Sequence, residues 1–275
     1  MTLLSPADTR ALAARLDVAP VKSRGQNFLI DPNTVRRIVR LADLGSHYHV
    51  LEIGPGLGSL TLGLLGAGVR VTAVELDPVL AAALPGTVGE RLPEVADQLT
   101  VITGDALRVD IPDDATVLAA NLPYNVAVPL LLRLLHELPG LDHGVVMVQA
   151  EVAQRLAAPP GSRVYGVPSA KLAWYATARV AAPVPRTVFW PQPRVDSALL
   201  TFARRDPPAG DRQQTFDVID AAFAQRRKTL RAALARWAGG ALAAEAALTQ
   251  AGINPSTRGE ALDVEAFSRI AQALH

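Results

Sequence analysis

The chain has 275 residues, of which 49% are apolar, and its 27 lysines and arginines nearly balance 26 aspartates and glutamates. This length suits one large domain, or one large and one small domain, with a sizeable core. The absence of cysteine excludes disulfides, thiolate metal sites and cysteine nucleophiles. No apolar run approaches the roughly 18 residues that span a bilayer, and residues 1–24 lack a signal-peptide pattern. We therefore expect a soluble cytoplasmic protein without a membrane partner.

The first part of the chain predicts helices, followed by strands that alternate with helices. A short helix runs from Pro6 to about Leu16, and a second begins after Asp31, which can cap it, with Pro32 in its first turn. Strands are predicted at 49–53, 70–74, 99–103, 116–120 and 144–149, and helices between them at 60–65, 78–83 and 129–138. This alternation predicts an α/β fold with a parallel sheet that helices cover on both faces.

The pattern changes from Lys171 onward. Two more strands are predicted at 171–180 and 196–202, with a proline-rich connection between them. Residues 204–211 are the best candidate for a linker. Helices are predicted beyond it at 215–237, 241–251 and 264–274. The sequence therefore predicts an α/β domain over residues 1–206 and a small all-α domain over residues 207–275.

A glycine-rich turn follows the first predicted strand. Gly54, Gly56 and Gly58 let the backbone turn tightly and come close to a ligand. The spacing departs from the dinucleotide fingerprint G-x-G-x-x-G, and Pro55 lies inside the turn, which argues against a pyrophosphate ligand. A plain tight turn between strand and helix is an equally good interpretation of this segment alone.

Polar side chains end the next three strands. Glu75 lies where a carboxylate can accept hydrogen bonds from both hydroxyls of a ribose. Asp105 could accept from the exocyclic amine of an adenine, and Asn121 ends the fourth strand. Each could be a solvated strand end, but together with the glycine turn they indicate a nucleoside site. S-adenosylmethionine suits this site because nothing resembles a phosphate cradle with its lysine.

The segment Asn121-Leu122-Pro123-Tyr124 can hold the edge and the face of a flat nitrogen heterocycle. The Asn121 side-chain oxygen and the Leu122 carbonyl could accept hydrogen bonds from an exocyclic amine and draw its nitrogen towards a pyramidal, reactive geometry. Tyr124 could stack on a flipped base, a contact worth roughly 1–3 kcal/mol. The alternative is a strand that ends at a proline, followed by a surface tyrosine.

The chain resembles the ribosomal RNA adenine dimethylase family in eight segments. They are GQNFL (25–29), EIGPGLG (52–58), VELD (74–77), GDA (104–106), NLPY (121–124), GSRVYG (161–166), FWPQPRVDS (189–197) and FAQRRKTL (223–230). The resemblance implies a Rossmann-like methyltransferase sheet and S-adenosylmethionine as cofactor. The implied cofactor contacts are Asn27, Leu29, Gly54, Gly56, Glu75, Asp105, Ala106 and Asn121, and no metal is implied.

Basic residues near the C-terminus are candidates for RNA binding. Residues 221–244 contain five basic residues and no acidic one: Arg226, Arg227, Lys228, Arg231 and Arg236. On a continuous helix, Arg231 would share a face with Arg227 and with Lys228, and such a stripe can track phosphates. Lys22, Arg24 and Arg163 could extend the track. The alternative is a solvated helix face.

Phe189, which lies before the last predicted strand, could stack on the second face of the target base. It could equally be a core aromatic residue, because a position in the sequence does not distinguish the two roles. Four of the five histidines, at positions 47, 49, 136 and 143, lack metal-ligand spacing and are expected to be structural or solvated.

The resemblance implies a monomeric enzyme that dimethylates N6 of adenosines in small-subunit ribosomal RNA. It further suggests two adjacent adenosines in a 3′-terminal hairpin loop, modified in an immature small subunit. Three alternatives remain: a large-subunit adenine methyltransferase, a ribosome-assembly or transcription factor without catalysis, and a DNA adenine methyltransferase. Segments 189–197 and 225–230 favour the small subunit, and intact Glu75, Asp105 and Asn121 speak against loss of activity.

Overall fold

A computed structural model describes residues 3–18, 27–45 and 47–274. The chain divides into two compact units, the first comprising Met1–Ala153 and Arg179–Ala203, the second Gln154–Ala178 and Arg204–His275. The sequence predicts a single boundary after residue 206, near the last of these divisions. It gives no sign that residues 154–178 group with the C-terminal helices. Within the described residues, no helix is both long and apolar enough to cross a membrane.

The first unit is built on a seven-stranded sheet. The strands of the chain are β1 (Phe28–Leu29), β2 (His49–Ile53), β3 (Arg70–Glu75), β4 (Leu99–Thr103), β5 (Val117–Asn121), β6 (His143–Gln149), β7 (Ala176–Val184), β8 (Phe189–Trp190) and β9 (Ser197–Arg204). The sheet order is β4-β3-β2-β5-β6-β9-β7, and β1 pairs separately with β8. Strands β2 to β6 are parallel, whereas β9 runs antiparallel to β6. The α/β prediction is confirmed.

Burial shows why the central strands are almost continuously apolar. Every residue of β2 is buried, as are the first four of β5 and the middle five of β6. A strand buried at consecutive positions is covered on both faces of its sheet, as in other parallel α/β folds. The core of the first unit lies here, and Glu75 and Asn121 are the last residues of β3 and β5.

Helices accompany these strands. They are α1 (Pro6–Arg15), α2 (Pro32–Leu41), α3 (Ser59–Leu65), α4 (Pro78–Arg91), α5 (Ala127–Glu137) and α6 (Ala150–Leu156). Of these helices, α1, α2 and α4 begin at a polar side chain that caps them. The Asp31 side chain accepts from the backbone N–H groups of Asn33 and Thr34, as expected for the cap of α2. Asp77 caps α4 in the same way, which fixes the chain directly after β3.

The second unit contains α7 (Val167–Tyr175), α8 (Arg212–Ala224), α9 (Leu230–Ala233), α10 (Ala241–Gln250) and α11 (Val264–Gln272). The strand predicted at 171–180 is wrong over its first half, which belongs to α7. Pro168 lies in the first turn of this helix, and the Ser169 hydroxyl accepts from the Gly166 N–H. These start signals favour a helix that begins at Val167.

The long helix predicted at 215–237 is also wrong, because α8 ends at Ala224 and a turn occupies residues 225–229. Backbone carbonyls of residues 255–257 accept hydrogen bonds from the N–H groups that would otherwise continue this helix. The N–H of Leu230 donates to the Thr257 carbonyl and that of Arg231 to the Pro255 carbonyl. In a continuous helix both donors would bond to carbonyls four residues earlier. The break is therefore set by a tertiary contact.

Candidate functional site

The carboxyl ends of β2, β3, β4 and β5 surround a cavity of about 340 Å³ in the first unit. Parallel strands bring their carboxyl ends to the same edge of a sheet, where α/β proteins bind ligands. The cavity is lined by most of the residues predicted for the site: Asn27, Gly54, Gly56, Glu75, Asp105, Ala106, Asn121, Leu122 and Tyr124. The sequence-derived set thus converges in space, with the exceptions described below.

The glycine-rich turn leaves room at the base of this cavity. Gly54 and Gly56 have φ values of +68° and +59°, a conformation that residues with a side chain rarely adopt. A Cβ atom on Gly56 would also lie 3.0 Å from the ring of Phe28. Glycine is therefore required for the backbone at this turn, and it keeps the backbone exposed to a ligand.

Glu75 is the most firmly held acceptor of the cavity. Its Oε2 accepts from the Gly56 N–H at 2.9 Å and its Oε1 from the Asp77 N–H at 3.0 Å. The side chain is buried, and this burial raises the pKa of Glu75 above its usual range, with the backbone hydrogen bonds opposing the shift. Each carboxylate oxygen can accept at least one more hydrogen bond, which suits a pair of ribose hydroxyls.

Glu52 is a second buried carboxyl that the sequence did not single out. It is 1% exposed and accepts from the Thr61 hydroxyl at 2.7 Å. Burial raises the pKa of Glu52 to about 8; the Thr61 hydrogen bond opposes the shift, and the nearby charge of Glu75 adds to it. Glu52 and Ser59 line a small cavity of about 30 Å³, and the Ser59 hydroxyl has no hydrogen-bond partner among the described residues.

Leu29 lines this smaller cavity rather than the larger one, so its predicted cofactor contact is not at the main site. Asn27 and Asn121 line both cavities. Leu29 is buried and pairs with Phe189 in the short β1–β8 ladder.

Asp105 lies in a loop directly after β4. Its Oδ1 accepts from the Leu107 N–H at 2.9 Å, and its Oδ2 lies 3.6 Å from the Nε atom of Arg108. The carboxylate is half-exposed at the cavity and keeps acceptor capacity for an exocyclic amine. Arg133 contacts the backbone of the same loop, and nothing in the sequence pattern indicated this residue.

The acceptor motif, defined as residues 121–124, presents two free oxygen acceptors. The Asn121 Nδ2 donates to the Asn27 carbonyl at 3.1 Å, which leaves its side-chain oxygen without a donor among the described residues. The Leu122 N–H donates to the Met147 carbonyl at 3.0 Å, whereas the Leu122 carbonyl accepts no backbone or side-chain hydrogen bond in that part of the chain. Both acceptors remain available to a ligand.

Tyr124 is tethered at the far end of its ring. Its hydroxyl lies 2.6 Å from the Ser197 Oγ, and Ser197 is buried at the start of β9. Burial raises the pKa of Tyr124 above its usual range, so the phenol stays neutral. The half-buried ring lines the cavity and is available for stacking, and no pattern in the sequence indicated that its hydroxyl contacts Ser197.

Phe189 lies in the core of the first unit. It is 1% exposed, belongs to the main apolar cluster and does not line the larger cavity. Of the two interpretations from the sequence, the structure supports the core role. Its burial leaves no face free for a base in this conformation.

The basic residues of the second unit do not form the predicted stripe. Arg226 pairs with Glu260 at 3.0 Å and donates to the Arg163 carbonyl, and Arg231 pairs with Glu245 at 2.6 Å. Residues 226–228 lie in the turn after α8, so the shared helix face is wrong. Two exposed residues of the turn, Arg227 and Lys228, have no acidic partner among the described residues. Lys22 and Arg24 lie outside the described residues.

The volume and the hydrogen-bond acceptors of the cavity suit S-adenosylmethionine. Pockets for small ligands typically enclose about 300–1,000 Å³, and this cavity falls within that range. Glu75 and Asp105 supply acceptors for hydroxyl and amine groups, and the turn at Gly54 and Gly56 leaves room for a tail. Among the described residues, no cluster of histidine, aspartate and glutamate could hold a metal ion.

Comparisons with known proteins identify the family of the chain. The family model "Ribosomal RNA adenine dimethylase" matches residues 21–275. Two relatives named "Ribosomal RNA small subunit methyltransferase A" are similar over 98% of this chain and 96% of their own length. The relative from Thermobifida fusca is 61% identical over 274 residues and that from Streptomyces coelicolor 60% identical over 275.

Two solved structures share the fold. A dimethyladenosine transferase from Plasmodium falciparum superposes with a TM-score of 0.76 at 24% identity, covering 88% of this chain and 95% of that one. The 23S rRNA methyltransferase ErmE gives a TM-score of 0.66 at 26% identity, covering 90% and 99%. The chain belongs to the ribosomal RNA adenine dimethylase family and is an S-adenosylmethionine-dependent ribosomal RNA adenine methyltransferase.

Proposed function

We propose that this chain dimethylates N6 of two adjacent adenosines in small-subunit ribosomal RNA, within an immature small subunit. One observation carries the proposal. The two free acceptors of the acceptor motif, on Asn121 and Leu122, line the same cavity as the nucleoside-binding carboxylates of Glu75 and Asp105. The names of the relatives that are about 60% identical support the small subunit as the target.

Glu75 and Asp105 would hold the nucleoside part of the cofactor. The two oxygens of Glu75 would accept from the ribose hydroxyls, and Asp105 would accept from the adenine amine. The turn at Gly54 and Gly56 would leave space for the amino-acid tail. S-adenosylmethionine supplies an electrophilic methyl group on a sulfonium sulfur when it is bound.

The acceptor motif would hold the target adenine. The Asn121 oxygen and the Leu122 carbonyl would accept from the two hydrogens of the exocyclic amine and counter the delocalisation of its lone pair into the ring. Tyr124, fixed through Ser197, would stack on the flipped base and hold N6 in line for attack. The methylated nitrogen is acidic and loses its proton to water, so these residues need not act as a base.

The second methylation uses the same residues with one contact fewer. A monomethylated amine keeps one N–H, which can still donate to one of the two acceptors. The other acceptor is then left beside the first methyl group. This arrangement supports dimethylation because neither acceptor has to move or change its protonation state.

Methyl transfer from labelled cofactor to ribosomal particles tests the proposal. Small and large subunits from a strain that lacks this gene serve as separate substrates. We expect label in dimethyladenosine of the small-subunit RNA, and Asn121→Ala should lower the rate on the order of 10²–10³-fold. Thermal melting shows whether the variant is folded.

The alternatives predict different results in the same assay. Label in the large-subunit RNA would favour a large-subunit methyltransferase and sink the proposed target. If wild type and Asn121→Ala bind particles alike and neither transfers label, the chain is a scaffold factor. Transfer to DNA in place of RNA would indicate a DNA adenine methyltransferase. Naked small-subunit RNA as substrate tests the requirement for a particle.

A further inference from the structure

Arg133 connects the helix of the acceptor motif to the loop that carries Asp105. It lies on α5, which begins three residues after Tyr124. Its Nη1 donates to the Ala106 carbonyl at 2.5 Å and its Nη2 to the Val109 carbonyl at 3.1 Å. Its Nε donates to Glu137 at 2.8 Å, and the side chain is only 17% exposed. All three guanidinium nitrogens are therefore engaged.

The loop at residues 104–109 has few other long-range restraints. Its first residue, Gly104, is tied to the end of β3 by its N–H, which donates to the Glu75 carbonyl at 2.8 Å. Among the described residues, the other backbone N–H groups of the loop that form hydrogen bonds do so locally, from Leu107, Arg108 and Val109 back to Asp105. Arg133 thus bonds the loop at two carbonyls that follow Asp105, and it fixes that part of the loop to α5.

We propose that Arg133 is a positioning residue for the 104–109 loop and acts on cofactor affinity through Asp105. The inference rests on the proposed contact between Asp105 and the adenine of the cofactor. Arg133 itself does not line the cavity. A guanidinium presents its donors in a rigid planar fork, which can hold two carbonyls at once, whereas lysine offers a single flexible ammonium. The identity of the residue therefore matters, beyond its charge.

Variants of Arg133 test this assignment in the full-length protein. Arg133→Ala should weaken S-adenosylhomocysteine binding about tenfold by calorimetry, with Arg133→Lys intermediate. Glu137→Gln is the matched control, because it removes the ion pair and leaves both carbonyl contacts, and it should stay within about twofold of wild type. At saturating cofactor, kcat should change by less than about threefold, and cofactor-free RNA binding should not change.

A double-mutant cycle shows whether Arg133 acts through Asp105. Arg133→Ala should cost clearly less in the Asp105→Ala background than in wild type, because the contact that it positions is already lost. The proposal is overturned if the effects of Arg133→Ala and Asp105→Ala on cofactor affinity are fully additive. It is also overturned if Arg133→Ala binds the cofactor as tightly as wild type. If that variant does not fold, Arg133→Lys must still bind cofactor more weakly than Glu137→Gln. Failure of the proposed function shows differently, as absence of methyl transfer in wild type.

Discussion

The ionisable groups of the chain lie in two contrasting environments. At the two cavities of the first unit, the carboxyl groups of Glu52 and Glu75 are buried, bonded to fixed donors and raised in pKa. In the second unit, Arg226 and Arg231 are exposed and paired with glutamates. A buried ionisable group acts through desolvation and fixed geometry, whereas an exposed charge acts through contacts that salt screens. Replacing an ionisable group should therefore have large, salt-insensitive effects in the first region and small, salt-sensitive ones in the second.

The largest effect is expected from Glu52→Gln, measured as stability against pH. The pKa of Glu52 is about 8 in the folded chain and about 4.5 when exposed, so the folded state keeps a proton that the unfolded state releases between these values. The free energy of unfolding of wild type should therefore fall as pH rises, by about 3 kcal/mol from about pH 5 to about pH 7.5. Glutamine remains neutral and keeps an acceptor for Thr61, so the variant should lose most of this slope.

Denaturant titrations at a series of pH values check the slope. The pKa of Glu75 is raised as well, so Glu75 leaves a slope of the same sign in the variant. Asp8 makes a suitable control because its pKa is lowered to about 2, so its own contribution is lost only in acid. An equal decline in wild type and Glu52→Gln would show that Glu52 is ionised in the folded chain.

A somewhat smaller effect is expected from Glu75→Gln, measured as cofactor affinity. The amide loses one of two charged acceptors, and hydrogen bonds to charged groups contribute about 1.5–3 kcal/mol. S-adenosylhomocysteine should therefore bind about 10- to 150-fold more weakly, with little dependence on salt, by calorimetry at two ionic strengths. Melting temperature should also fall, because the amide oxygen can accept from only one of the Gly56 and Asp77 N–H groups while the amide nitrogen faces the other. If the loss of cofactor affinity disappears in high salt, Glu75 acts on the cofactor as an exposed charge does, which contradicts the prediction.

The site of the first unit was predictable because one rule of parallel sheets fixes it. Residues that follow successive strands meet at one edge, so Gly54, Glu75, Asp105 and Asn121 could be placed together from spacing alone. The missed residues act through contacts across long sequence distances. Arg133 reaches a loop 24 to 27 positions earlier, and Ser197 lies 73 positions from Tyr124. Periodicity and spacing carry no signal for such pairs.

The second unit was less predictable because local patterns compete there with tertiary contacts. The spacing of Arg227 and Arg231 has meaning only on a continuous helix, and the carbonyls of Pro255 and Thr257 take the donors that would continue α8. The lack of acids within residues 221–244 suggested a free stripe. The acids that pair with it come from further along the chain, at Glu245 and Glu260.

The smallest effect is expected for RNA binding by the second unit. The test compares Arg227 and Lys228, which have no acidic partner among the described residues, with Arg226 and Arg231, which form ion pairs. Arg227→Gln with Lys228→Gln should weaken RNA binding a few-fold and lower the slope of log affinity against log salt by about 1.5, the value for two phosphate contacts. Arg226→Gln with Arg231→Gln removes the same net charge but breaks ion pairs already made within the unit. This second double variant should lower the salt slope by less than half as much as the first. It should cost at most about 1 kcal/mol of stability for each ion pair that it breaks. Filter binding across a salt series measures both slopes, and equal slopes would mean that the glutamate partners do not withhold Arg226 and Arg231 from RNA.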